Sequence, residues 1–199
     1  MAVSGFALFN TKIGRCGIVW RAGAVVGVQL PETNVRATRA RVRRLHPDAP
    51  ETDPPGFVRT AIDRIIALIE GESVDLSAIR LDMTGVSPFH RKVYEAAREI
   101  PPGETQTYGG IATAIGAPRS ARAVGQALGR NPFAIVVPCH RVIAAGGRTG
   151  GFSANGGVDT KVRLLAIEQA SIQSGKTAAK PTASPAPVDV GVAALTGTG

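Results

Sequence analysis

Apolar and polar positions change period several times along the chain, and each change predicts an element. Near the N-terminus, short apolar runs are separated by small turns: Phe6-Ala7-Leu8-Phe9, Cys16–Trp20 and Val25–Leu30. The last two flank Arg21-Ala22-Gly23-Ala24, a hairpin signal. Val35–His46 is polar and rich in arginine, which suits a solvated helix face. Asp48–Gly56 is a proline-rich connector. From Phe57 to Glu70 the pattern is helical: Val58, Ile62, Ile65, Ile66 and Ile69 share one face, and Gly71 supplies the stop. Leu76–Met83 alternates weakly and predicts a last strand. Residues 1–84 therefore read as a small α/β unit.

The second half reads differently. Ser87 is a good N-cap and Pro88 suits a first helical turn. The following helix, Phe89 to about Ile100, would bury Phe89, Val93, Ala96, Ala97 and Ile100 before Pro101-Pro102-Gly103 ends it. Two short helices, Thr107–Ile115 and Ser120–Arg130 with Ser120 as N-cap, are joined by Gly116-Ala117-Pro118-Arg119, the outline of a helix-turn-helix. In the second of them Ala121, Ala123 and Gly125 are small, and Arg122 stands among them. Such a face suits close approach to a DNA groove or to another helix, and the pattern serves both equally. Gly146–Gly157 is a glycine-rich loop or wing. Asp159–Gln169 is a closing helix carrying Val162, Leu165 and Ala166. From Ser171 the chain is Ala, Ser, Thr, Pro and Gly with few large apolar residues, a composition expected to stay disordered. The expected division is 1–84, 85–170 and a tail of 171–199, with an α+β fold class.

Composition narrows the function classes. The chain has 199 residues, 44% of them hydrophobic, enough for one or two domains. No run approaches the ~20 apolar residues of a membrane span, and the N-terminus shows no secretory pattern. Two cysteines without such a signal read as reduced thiols, so a cytoplasmic location is expected. A net charge of +8 favours a polyanionic partner. Arg36, Arg39, Arg41, Arg43 and Arg44 could touch phosphates, although a solvated helix is the preferred reading. Three scattered histidines (His46, His90, His140) and two distant cysteines have no metal-ligand spacing, so no metal and no cofactor are expected.

The candidate chemistry lies in Ile135–Ile143. An apolar run ends at Pro138 and is followed by Cys139, His140 and Arg141: thiol, imidazole, guanidinium. The thiolate is the nucleophilic form, and nearby positive charge favours it. Free cysteines also pack as ordinary core residues, and the run alone favours that reading for Cys139. Glu168 is the one carboxylate in Leu164-Leu165-Ala166-Ile167-Glu168. It is either an exposed helix-end charge or the third member of a Cys–His–carboxylate set that relays the thiol proton.

Pro138-Cys139-His140-Arg141-Val142 resembles the active-site signature of the O6-alkylguanine–DNA alkyltransferases. Ile100-Pro101-Pro102-Gly103-Glu104-Thr105, Tyr108-Gly109, Arg122-Ala123-Val124-Gly125, Asn131-Pro132, Gly151-Phe152-Ser153 and Leu164–Glu168 follow in that family's order and spacing, over about residues 6 to 169. The resemblance implies a ribonuclease-H-like N-terminal domain followed by a mostly helical, winged helix-turn-helix-like alkyltransferase domain. It implies a partner, duplex DNA containing O6-alkylguanine, with O4-alkylthymine as a second lesion, and a monomer that acts once. Cys139 would accept the alkyl group. His140 would take the thiol proton through a water, and Glu168 would orient the imidazole. Asn131 would fix the turn that places the thiol, and Tyr108 would assist nucleotide rotation and the leaving guanine. Arg122 would fill the gap left in the duplex. Ala121, Ala123 and Gly125 would meet the minor groove, and Arg119, Arg122 and Arg130 the phosphates. Ser153 and the backbone near Val142 would line the guanine pocket. The chain departs from some relatives in extra loop residues beside Ser153, in lacking N-terminal zinc ligands, and in its tail. Two rivals remain: a cysteine hydrolase, and a non-catalytic sensor of alkylated DNA or DNA-binding regulator.

Overall fold

The structure, a computed structural model, describes residues 4–176. Three strands, β1 (Gly5–Thr11), β2 (Gly14–Arg21) and β3 (Ala24–Gln29), form an antiparallel meander in that order. Phe6 pairs with Val19, Phe9 with Cys16, and Arg21 with Ala24 across the predicted two-residue hairpin, where Gly23 adopts a positive φ of 75° that glycine takes without strain. Both sheet faces are covered, which is why the strands read as apolar runs and not as clean alternation. Cys16, Ile18 and Trp20 face α2 (Gly56–Glu70), which packs Val58, Ile62, Ile65 and Ile69 against them. Phe6 and Val19 face α1 (Val35–Leu45) through Val42. The approach of α1 requires Gly17, because a Cβ there would lie 2.7 Å from Cγ2 of Val42. Gly71 ends α2 in the left-handed conformation.

Leu76–Met83 is not a strand. Only an isolated bridge joins Leu81 to Val25. The carbonyls of Leu76, Ser77 and Ile79 accept from Arg98 Nη2 instead, at 3.2, 2.6 and 3.0 Å, which removes the acceptors a ladder would use.

The C-terminal half builds a second core around Val93, Tyr94, Ala97, Ile111, Val124, Phe133 and Val142. Helix α3 (Pro88–Arg98) starts at Ser87, whose hydroxyl accepts from the His90 amide. A two-stranded parallel pair, β4 (Gln106–Thr107) and β5 (Val142–Ile143), ties the start of α4 (Tyr108–Ala114) to the residues after Cys139. Helix α5 (Ala121–Gly129) follows the turn at Gly116. Ser120 occupies its cap position but makes no side-chain cap bond, since its backbone is not extended there. The closing helix α6 (Gly157–Lys176) runs past Gln169, so the tail does not begin at Ser171. No Gly or Pro interrupts Ser171–Ser174, and elongation adds one hydrogen bond per residue. The disorder expected for the remainder, 177–199, lies outside the described residues.

Helix α6 leaves two of its apolar residues outside and buries two charged ones. Val162 is 47% exposed and Ala166 is exposed, whereas Lys161, Leu164 and Glu168 are buried. The i, i+3, i+7 face that packs inward therefore carries a cation and a carboxylate.

Candidate active site

Cys139 opens a short 3-10 turn, Cys139–Arg141, at the end of an irregular loop held by Asn131. The Asn131 side chain donates from Nδ2 to the Val137 carbonyl (2.9 Å) and accepts at Oδ1 from the Phe133 amide (2.9 Å), closing the turn from both ends. Inside it Ile135 is held at φ 72°, left-handed backbone that a β-branched residue rarely adopts and that costs roughly 1–3 kcal/mol. Ile135 and Val136 are anchored in the core of the N-terminal sheet, which holds the strained turn in place.

The three side chains at 139–141 point to different tasks. Cys139 is half-buried and lines a cavity of about 490 Å³ together with Tyr108, Ala121, Arg122, Gly125 and Ser153. His140 and Arg141 are buried and face Glu168. His140 Nε2 lies 2.8 Å from Glu168 Oε1. Arg141 grips the same carboxylate, with Nε at 2.9 Å from Oε2 and Nη2 at 2.8 Å from Oε1, and donates from Nη1 to the Ile100 carbonyl (2.6 Å). The Gly103 amide donates to Oε2 at 3.2 Å. Burial alone would push the Glu168 carboxyl up, but His140, by hydrogen bond and charge, and then Arg141 outweigh it and hold the group at about 2. The exposed-charge reading of Glu168 is thus wrong. Arg141 adds its charge to Glu168 and does not face the thiol.

His140 Nδ1 is buried and has no hydrogen-bond partner among the described residues. With Nε2 committed to Glu168, Nδ1 is the ring nitrogen turned away from the carboxylate. Burial raises the Cys139 pKa, against a hydrogen bond from Asn131, the charge of Lys161 and the amides of Cys139 and His140. The resting group is therefore a thiol, and its reaction requires that a proton be taken away.

Lys161 is a further residue of the site that the motifs do not mark. Its side chain is fully buried, and Nζ donates to the Val142 carbonyl at 2.6 Å and lies 5.8 Å from the Tyr108 ring centroid. Among the described residues no carboxylate pairs with it. Burial lowers its pKa and the neighbouring Cys139 opposes that shift. The available signal was its spacing, three residues before Leu164 and seven before Glu168, on one helix face.

Tyr108 is the first residue of α4, capped by Thr107, whose Oγ1 accepts from the Gly110 amide. Burial, then Cys139, raises its pKa, so the hydroxyl remains a proton donor. Gly150, at φ 70°, makes room for it: a Cβ there would lie 3.1 Å from the Tyr108 hydroxyl. Arg122 is exposed on α5 beside Ala121 and Gly125, and Arg119 and Arg130 are exposed at either end of that helix. Ala123 is turned away from the cavity, as residues two apart on a helix do not share a face. Val142 is buried in the core and its carbonyl is taken by Lys161, so it does not line the cavity. Ser153 is exposed and lines it. Among the described residues no group of three or more His, Cys, Asp or Glu is placed to hold a metal ion, and no helix is long and apolar enough to cross a membrane.

Residues 88–170 match the family described as 6-O-methylguanine DNA methyltransferase, DNA binding domain. A methylated-DNA–protein-cysteine methyltransferase from Mycolicibacterium paratuberculosis is 49% identical over 118 residues, 59% of this chain and 69% of that protein. One from Methanothermobacter thermautotrophicus is 37% identical over 158 residues, 79% of this chain and 81% of its own length. Among solved structures, Mycobacterium tuberculosis OGT in complex with DNA superposes with a TM-score of 0.68 at 35% identity, covering 84% of this chain and 94% of that one. The O6-methylguanine-DNA methyltransferase of Pyrococcus kodakaraensis gives 0.65 at 28% identity, covering 82% and 98%.

Proposed function

Because the chain belongs to the methylated-DNA–protein-cysteine methyltransferases, we propose that it repairs duplex DNA by moving the alkyl group of O6-alkylguanine irreversibly onto its own Cys139. The observation that carries this reading is the Cys139 thiol lining a cavity beside Arg122 and Tyr108, with the buried His140–Glu168 pair behind it.

In this reading α4 and α5 form a helix-turn-helix, the 146–157 loop is its wing, and residues 85–170 are the alkyl-transfer unit. Residues 1–84 are an abbreviated ribonuclease-H-like unit that anchors the strained turn before Cys139. Ala121 and Gly125 approach the minor groove, while Arg119 and Arg130 hold phosphates. The reacting atom is out of reach inside the base stack, so the nucleotide rotates out at a cost of a few kcal/mol. Arg122 fills the gap and Tyr108 guides the base toward Ser153.

The chemistry follows from the protonation states. A water carries the Cys139 proton to His140 Nδ1, and Glu168, already held as a carboxylate, orients the ring and steadies its charge. The sulfur attacks the alkyl carbon. The carbon–O6 bond breaks, its electron pair stays on O6, and the guanine is neutralised by a proton from Tyr108. Lys161 adds positive charge on the thiolate's side of the site. The same displacement applies to O4-alkylthymine. The product is a thioether, which is no leaving group for water, so each molecule acts once.

Incubation with a duplex containing O6-methylguanine should add one methyl group to the Cys139 peptide by mass spectrometry, with product never exceeding protein. Cys139→Ala should still bind the damaged duplex and leave the lesion in place. Product in excess of protein, or a methyl group on another residue, would overturn the mechanism. Loss of binding in Cys139→Ala would overturn the division of roles.

A further inference from the structure

The arginine row of α1 is not uniform. Arg39 and Arg43 are engaged by Glu51, at 2.8 and 3.4 Å. Arg36, Arg41 and Arg44 are exposed and have no ion-pair partner among the described residues. Arg41 differs from the others in its position. It lines a second cavity, of about 240 Å³, shared with His46 of the N-terminal unit, with Arg130 just past the end of α5, and with Cys139 and Ser153. The first cavity also contains Cys139 and Ser153, so the two spaces meet at the thiol. No Asp or Glu lines this second cavity, whereas two arginines do; burial and the charge of Arg21 lower the pKa of the third basic residue there, His46. Such a lining selects for an anion.

We propose that Arg41 and Arg130 together hold one backbone phosphate of the damaged duplex, so that the DNA footprint extends from α5 across the cavity onto α1. The inference rests on the DNA-repair reading above. Three features favour it. Arg130 immediately follows the helix assigned to the minor groove. The cavity opens beside the pocket assigned to the rotated base, where the strand's own phosphates must pass. And Arg41, unlike Arg39 and Arg43, has its charge uncommitted. Two guanidiniums on one phosphate use the planar, multi-donor geometry in which arginine surpasses lysine.

The test measures binding of fluorescent duplexes, with and without O6-methylguanine, by anisotropy from 50 to 200 mM salt. One phosphate contact contributes about 0.9 to the slope of log affinity against log salt. Wild-type protein should therefore bind more tightly than Arg41→Ala, and that advantage should shrink about threefold over this range. Undamaged duplex should show the same change, because a phosphate contact carries no sequence information. Arg130→Ala should behave alike, and the double variant should lose little more than either single one, since both remove the same contact. Arg36→Ala, five residues away and about 140° around the helix, should bind as wild type. Superimposable curves for Arg41→Ala and wild type at every salt concentration would overturn the inference. So would an equal loss in Arg36→Ala, which would mean diffuse charge, or an Arg41→Ala effect seen only when several molecules crowd one duplex, which would assign the surface to a second copy of the chain. Failure of wild-type protein to take methyl groups from duplex DNA would instead overturn the reading on which the inference rests.

Discussion

Replacing Glu168 by Gln tests the polar centre of the site. The carboxylate is 2% exposed, bound by His140, Arg141 and the Gly103 amide, and held at about 2 against an ordinary 4.5. That difference corresponds to about 3 kcal/mol of folding stability at neutral pH. Its sign is that of a depressed acid: the stabilisation is complete above 4.5 and is lost as pH falls toward 2. Gln keeps the shape and one acceptor but leaves the Arg141 guanidinium buried without its counter-charge, a loss that typically costs about 3–5 kcal/mol. Denaturant unfolding at pH 7 should place Glu168→Gln about 3 kcal/mol below wild type. Repeating the melts from pH 6 to pH 2 isolates the group, because Asp75 and Asp82, also held below their usual range, titrate alike in both proteins. Wild type should lose stability faster than the variant as pH falls, so that the gap narrows. A gap below 1 kcal/mol at pH 7, or curves that stay parallel down to pH 2, would refute the electrostatic account of this cluster.

Two further substitutions bear on the thiol and on Tyr108. Lys161→Met removes a buried cation beside Cys139, so the pH profile of iodoacetamide labelling at Cys139 should move upward and methyl transfer should slow at pH 7, while the protein becomes no less stable. Cys16 serves as the internal control, since burial holds it at about 12 and it should stay unlabelled in the folded protein; an unmoved Cys139 profile would sink the role given to Lys161. Gly150→Ala places a methyl group 3.1 Å from the Tyr108 hydroxyl on a left-handed backbone, and should cost about 1–2 kcal/mol and slow transfer, whereas Gly56→Ala, with nothing within 4 Å and no place in either cavity, should leave transfer unchanged.

Much of the architecture was legible because it follows from local rules. Gly71 stops α2, Ser87-Pro88 starts α3, and Ala22-Gly23 makes the second hairpin, each for reasons of backbone conformation that the residue types declare. The predicted strand over Leu76–Met83 failed for a non-local reason: its carbonyls are captured by Arg98, which lies on a later helix. The order of motifs around Cys139 exposed the family, but not the distribution of labour within Cys139-His140-Arg141. A 3-10 turn separates the three side chains, sending one to the cavity and two to Glu168, and nothing in three adjacent letters states that geometry.

The misreading of α6 shows where hydrophobic patterning stops being a guide. Val162 and Ala166 are apolar yet exposed, while Lys161 and Glu168 are buried beside Leu164. An isolated buried ammonium or carboxylate is costly enough that pattern rules place both in solvent by default. Each is tolerated here because its charge is answered by a specific partner from elsewhere in the chain: Arg141 and His140 for Glu168, and the Val142 carbonyl and Tyr108 ring face for Lys161. These partners all precede α6 in sequence, so no window along the helix contains the information. In the proposed mechanism the same two residues give α6 its function, since one orients the histidine and the other adds positive charge near the thiol. At such a site an exception to the hydrophobic pattern is itself the signal: a lysine and a glutamate seven residues apart, on the face of Leu164, mark a helix that turns charge toward a reacting atom.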